Sequence, residues 1–199
     1  MPPRPDPPIL LFPDRAAFRA WLDAHHDAHP GLWLRIAKAA SSLRSVTHAE
    51  ALDVALCFGW IDGQVRRHDA DSFLQRFIPR QKRSVWSKRN RDHVARLIAA
   101  GEMHPAGLAA VAAAKQDGRW DRAYDSPATA TVPADLQAAL DRHPKARDFF
   151  GTLTSANRYA ILYRIQTAVK PETRARRIAD LVAMLARRET IHPQRTRDR

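Results

Sequence analysis

Two stretches of the chain concentrate the residue types that chemistry needs. The first is Phe58-Gly59-Trp60-Ile61-Asp62-Gly63, an aromatic ring and a carboxylate set between glycines. Such glycines tolerate positive φ and close approach, so Trp60 and Asp62 can be presented to a cleft. The second is Pro79-Arg80-Gln81-Lys82-Arg83-Ser84-Val85-Trp86-Ser87-Lys88-Arg89-Asn90, two serines flanking a tryptophan before a helix N-terminus. Free amides at that terminus, beside Lys88 and Arg89, suit an anion. Together Trp60, Asp62, Arg67, Arg80, Ser84, Trp86, Ser87 and Asn90 make a candidate lining for an anionic, partly planar ligand. Guanidinium groups over indole faces and one carboxylate supply its recognition chemistry. The competing roles are structural: Asp62 as an ion-pair anchor for Arg67 or Arg80, and the two tryptophans as core.

Arg174 stands apart. It precedes Ile178 by four residues and Leu181 by seven, on the apolar stripe of the last helix. An arginine there must be paired or must extend its head to water. The expected partner is an acid or carbonyl from outside its own helix, with Asp62 one candidate; such a pair would clamp the two halves of the chain. Arg174 is also counted among the anion-binding candidates, whereas Arg176 faces the opposite way and is expected to be solvated. His25, His26 and His29 lie at a helix end before Pro30, with no second ligand cluster of matching spacing, so no metal is expected. The single cysteine, Cys57, has no neighbouring base and reads as a buried, inert thiol. The phosphate-binding and dinucleotide-binding glycine motifs are missing, and no cofactor is expected.

The frame for these residues is 199 residues long, 45% hydrophobic and 27% charged, which is globular composition. One cysteine excludes an internal disulfide framework. No apolar run approaches the ~18–20 residues of a membrane span, and Ile9 to Phe12 is too short for a signal-peptide core, so a cytoplasmic location is expected. The net charge is +12. Its placement matters more: Arg76 to Arg96 holds eight Lys/Arg and one Asp, and Arg158 to Arg199 holds eleven Lys/Arg and four Asp/Glu. A localised basic surface attracts polyanions or phosphorylated ligands.

The periodicity reads as an α+β fold, a small antiparallel or mixed sheet with helices in the first half and an all-helical module after it. Residues 1–12 read as a flexible, proline-rich tail. Asp14 caps a helix carrying Phe18, Trp21 and Leu22 on one face. Leu32, Leu34 and Ile36 alternate with Trp33, Arg35 and Ala37 as a strand. Thr47-His48-Ala49-Glu50 is a capping box. Strands follow over about 61–67 and 73–78, joined by a hairpin turn at 68–71 and ended by Pro79. Everything beyond Ser87 is helical. The Ser, Pro and Thr-rich stretch 125–132 places the domain boundary, giving an α+β domain over 13–125 and a helical module over 126–190. Residues 191–199 are expected to fray.

Gly59-Trp60-Ile61-Asp62-Gly63, Pro79-Arg80, Ser84-Val85-Trp86-Ser87 with Asn90, and Glu172-Thr173-Arg174-Ala175-Arg176-Arg177-Ile178 follow one another in an order and spacing that resembles the YdeI/OmpD-associated, bacteriocin-protection family. The resemblance runs from about Phe12 to Leu185, and the helical section from about Val132 resembles that family's smaller module. It implies a bacterial protein, linked in some members to tolerance of antimicrobial peptides and to association with an outer-membrane porin. By resemblance alone, an envelope or porin-related protein is a possible partner. The resemblance brings no catalytic residue.

Two functional readings follow. One is a non-enzymatic stress or antimicrobial-peptide tolerance factor acting through a basic surface on an anionic ligand or polyanion. The other is a small-molecule binding protein or enzyme with a Trp/Arg/Asp pocket at the two motif stretches. Convergence of those side chains around a cleft favours the second; Trp60 and Trp86 sealed in separate cores defeats it.

Overall fold

The computed structural model describes residues 6–194, and the chain divides into two compact units. One comprises the residues up to Trp86 with Asn90–Asp121; the other comprises Ser87–Arg89 with the residues from Arg122 onward. The outermost parts of both expected tails, 1–5 and 195–199, lie outside the described residues.

The first unit is built on a four-stranded mixed sheet. Its strands are β1 (Ile9–Leu10), β2 (Leu32–Ala37), β3 (Trp60–Arg67) and β4 (Ser72–Pro79), in the spatial order β1-β2-β4-β3. The pair β1 and β2 is parallel; β2 with β4 and β4 with β3 are antiparallel. Ile9 and Leu10 were expected in a free tail. Instead they extend the sheet edge, and Trp33 N–H donates to Pro8 O at 2.9 Å. Two residues are too few for a strand period to register in the sequence.

Local chemistry sets the helix starts as the sequence predicts. Helix α1 (Arg15–His25) is capped by Asp14, whose Oδ1 accepts from Ala17 N–H at 2.9 Å. Helix α2 (His48–Cys57) opens on a complete Thr47–Glu50 capping box. These two helices pack together, and α2 also packs on β3. Phe18 of α1 meets Phe77 of β4 edge-on at 5.7 Å, which places the helices on the sheet face that carries Leu32, Leu34 and Phe77. Helices α3 (Lys88–Ala99) and α4 (Pro105–Gln116) follow. Helix α4 lies against α2 so closely that a Cβ on Gly107 would sit 2.1 Å from Cys57 O.

Asp69 fixes the β3–β4 turn. Its Oδ1 accepts from Asp71 N–H, Ser72 N–H and Ser72 Oγ–H, while Arg35 donates to Oδ2. These bonds hold the Asp69 pKa at about 2, with the Ser72 hydroxyl the foremost cause. Nearer the other end of β3 the register shifts between Asp62 and Val65. Buried Gln75 donates to Gly63 O at 2.9 Å, so the bulge's carbonyl does not go unmet.

The second unit is helical: α5 (Ala134–Asp141), α6 (Pro144–Gly151), α7 (Ser155–Gln166) and α8 (Pro171–Ala186). Its core unites Leu136, Leu140, Phe150, Ile161, Ile165, Leu181 and Leu185. The segment expected to fray is partly held. Buried Asn157 accepts from His192 N–H at 2.8 Å and donates to His192 O and Gln194 Oε1. A side-chain amide satisfied by backbone in this way leaves no periodic signal in sequence.

Candidate anion-binding site

The lining expected from sequence does not assemble. Trp60 and Trp86 are each 1% exposed and have different aromatic neighbours. Trp60 meets Trp21 edge-on at 6.0 Å and donates from Nε1 to His26 O at 3.0 Å. Trp86 meets Trp120 at 5.0 Å, with the Arg80 guanidinium 3.5 Å above its ring. Neither indole offers a free face to a ligand, so the stacking role is corrected to core packing. Asp62 pairs with neither Arg67 nor Arg80: its Oδ2 lies 3.1 Å from His48 Nε2 on α2. Arg67 is exposed at the end of β3.

Much of the loop before α3 serves itself. Arg80 donates to Val85 O at 3.2 Å and Ser84 Oγ accepts from Gln81 N–H at 2.9 Å, so both close the turn from Pro79 to Trp86. Ser87 is buried in a short bridge to Tyr124, and Asn90 is buried within α3. The expected anion contacts at this terminus are taken: Lys88 N–H donates to Tyr124 O at 2.9 Å, and Lys88 Nζ meets Asp125 Oδ1 at 2.6 Å.

Arg174 has its expected partner in kind but not in place. It is not paired with Asp62. From α8 it donates through Nε and Nη2 to the two carboxylate oxygens of Asp135, at 2.6 and 2.9 Å, and through Nη1 to Ile165 O at 2.9 Å. All three residues belong to the helical unit, so the pair ties α5 and α7 to α8 within it. Cys57 is fully buried, and burial pushes its thiol pKa up.

A different group of cations comes together on the sheet. Cross-strand partners share a face, and the register sets Trp33 beside Arg76, and Leu74 between Arg35 and Arg66. That face is the one opposite Phe18 and Phe77. The Arg66 guanidinium lies 4.2 Å from the Trp33 ring centroid and that of Arg76 lies 5.7 Å from it. Among the described residues neither guanidinium has a hydrogen bond or an ion pair, and Arg76 Nη1 is buried without a partner. Burial first, then the charge of Arg66, hold the Arg76 pKa below its usual value. His29 shares this field: burial, then His25 and Arg76, lower its pKa. Gly31, at φ +118°, keeps the backbone close, since a Cβ there would fall 3.0 Å from Arg76 Nη2.

Like charges stacked on one indole, with a guanidinium N–H buried and unmet, constitute an arrangement that an oxyanion completes. It would supply the missing acceptor and cancel the repulsion. Sequence reasoning separated Trp33 from the core face of its strand but could not see this group. The alternation of Trp33 and Arg35 was the available signal; the partners depend on the order of three strands.

Comparison with known proteins follows the division into units. Residues 10–110, just over half of the chain, match a domain of unknown function (DUF8412). Residues 129–188 match the family described as bacteriocin-protection, YdeI or OmpD-associated. The chain belongs to the first family and carries a match to the second over its helical part. No curated protein and no solved structure matches it. The YdeI or OmpD-associated domain therefore comprises α5 to α8, with the Glu172 to Ile178 motif inside it. The motifs between Gly59 and Asn90, and the Trp33 cluster, fall in the preceding domain.

Proposed function

We propose that this protein is a non-enzymatic, cytoplasmic anion-binding protein that serves bacteriocin protection, the role named for the family of its helical domain. Its ligand on this reading is a phosphate-bearing polyanion, received by Arg66 and Arg76 beside the Trp33 ring. The observation that carries it is Arg76: a partly buried guanidinium with an unmet N–H, beside a second guanidinium, with the Asp6 carboxylate acting on it only through space and no ion pair among the described residues. A buried donor left unmet costs about 1–3 kcal/mol, which an incoming phosphate oxygen returns. The net charge of +12 adds attraction for a partner with repeated negative charges. This reading is preferred to a small-molecule or enzyme pocket at the Trp60 and Trp86 motifs because both indoles are 1% exposed.

The test is equilibrium binding of inorganic polyphosphate at low salt, for the wild-type chain and for Arg76→Gln. The reading expects saturable binding that Arg76→Gln weakens while the circular dichroism spectrum stays the same. Absence of binding at low salt, or equal binding by both proteins, would overturn it.

A further inference from the structure

The helical domain contains a groove that the sheet site does not explain. Its accessible volume is about 610 Å³, within the ~300–1,000 Å³ range of small-molecule sites. One wall is α8, where Ala175, Ala179 and Ala183 recur every fourth residue and leave the space that longer side chains would fill. Ala139 of α5 faces them, and Ile178 and Val182 close the floor. From Ala175 to Ala186 the wall runs about 16 Å at 1.5 Å per residue. The cleft is thus long, narrow and apolar.

Its two ends differ in charge. At one end Arg174 is neutralised by its two-pronged bond to Asp135. At the other, Arg142 has no side-chain hydrogen bond or ion pair among the described residues. Next to it His143 is anchored through Nδ1 to Ala139 O at 2.9 Å, which leaves Nε2 as its available nitrogen. A straight apolar body with an anionic head at the Arg142 end matches both features. The apolar part gains by leaving water, and the head gains a charge-assisted hydrogen bond.

We propose that this groove binds a single-chain amphiphile with an anionic head, lying along α8 with its head at Arg142 and His143. A free fatty acid and a lysophospholipid-like phosphate share this chemistry. The site is independent of Arg66 and Arg76, so it stands or falls apart from the function proposed above.

The experiment titrates the full chain with dodecanoate, dodecyl phosphate and dodecanol below their aggregation concentrations, by calorimetry and by methyl NMR shifts. Saturable binding of dodecanoate or dodecyl phosphate is expected, with the shifts at Ala175, Ala179 and Ala183. Preference between these two probes identifies carboxylate or phosphate as the natural head. Ala179→Leu fills the groove and should abolish binding without lowering the thermal midpoint. Arg142→Ala should weaken the anionic probes roughly tenfold or more and leave dodecanol unchanged. Ile178→Trp, at the groove floor, should weaken dodecanoate and dodecanol alike. No saturable binding of either anionic probe, or binding indifferent to both Ala179→Leu and Arg142→Ala, would overturn the proposal.

Discussion

Arg174 grips both carboxylate oxygens of Asp135, at 2.6 and 2.9 Å, and spends its remaining nitrogen on Ile165 O. One side chain of α8 thereby fixes the start of α5 and the end of α7. The pair is not deeply buried: the Arg174 and Asp135 side chains are 29% and 47% exposed. A fully buried pair would cost roughly 3–5 kcal/mol to break, and this exposure lowers the expectation. Arg174→Ala should lose about 1–2 kcal/mol, whereas Arg176→Ala should stay within about 0.5 kcal/mol. Urea unfolding of the two variants separates them; equal midpoints would show that the grip carries no stability.

Acid should act on the β3–β4 turn. The Asp69 pKa is held at about 2, below the ordinary carboxylate value, by Ser72 and the turn amides. A depressed folded pKa means that the stabilisation is complete above the unfolded value near 4. It is lost as the pH falls from there through about 2. Asp69→Asn removes that linkage, so the thermal midpoint of the variant should fall less steeply over this interval. Parallel curves for both proteins would contradict the assignment.

Two glycines should respond oppositely to the same change. Gly107→Ala drives a methyl into Cys57 O, which lies 2.1 Å from the ideal Cβ position, so α4 must shift from α2. Overpacking of this kind costs about 1–3 kcal/mol or more. Gly151 ends α6 with nothing within 4 Å of an added Cβ. Gly151→Ala should stabilise by roughly 0.4–1 kcal/mol by restricting the unfolded chain. Denaturant midpoints decide both signs.

The helix starts were legible because their causes are local. Asp14 with Ala17, and Thr47 with Glu50, are three residues apart, and any chain with that spacing can form those caps. The stripe arithmetic was equally sound in requiring a partner for Arg174, but nothing local distinguishes Asp135 from Asp62 as that partner. Trp33 marks the limit most clearly. Its alternation in β2 was readable, yet Arg76 reaches it through β4 and Arg66 through a further strand past a bulge. Strand order and register are properties of the whole sheet. Trp60 and Trp86 misled for the converse reason: large aromatics beside glycines and arginines look the same in sequence whether they line a cleft or fill a core.

If an anion settles between the two arginines, the positive field at His29 weakens. Arg76 now helps to depress the His29 pKa, and a bound oxyanion would offset that charge. The imidazole pKa should therefore rise when polyphosphate is added, and affinity should increase as the pH is lowered through the titration of His29. An NMR titration of the histidine ring protons, with and without polyphosphate, checks this. An unmoved His29 would place the anion elsewhere.

The salt dependence of polyphosphate binding tests the central claim most directly. Each arginine that meets a phosphate releases bound counterion, contributing about 0.7–0.9 to the slope of log K against log salt. Wild-type protein and the Arg66→Ala, Arg76→Ala double variant should thus differ in slope by roughly 1.4–1.8, with the weaker dependence in the variant. Slopes that coincide would mean that these two arginines do not touch the anion, and the sheet face would no longer be its binding site.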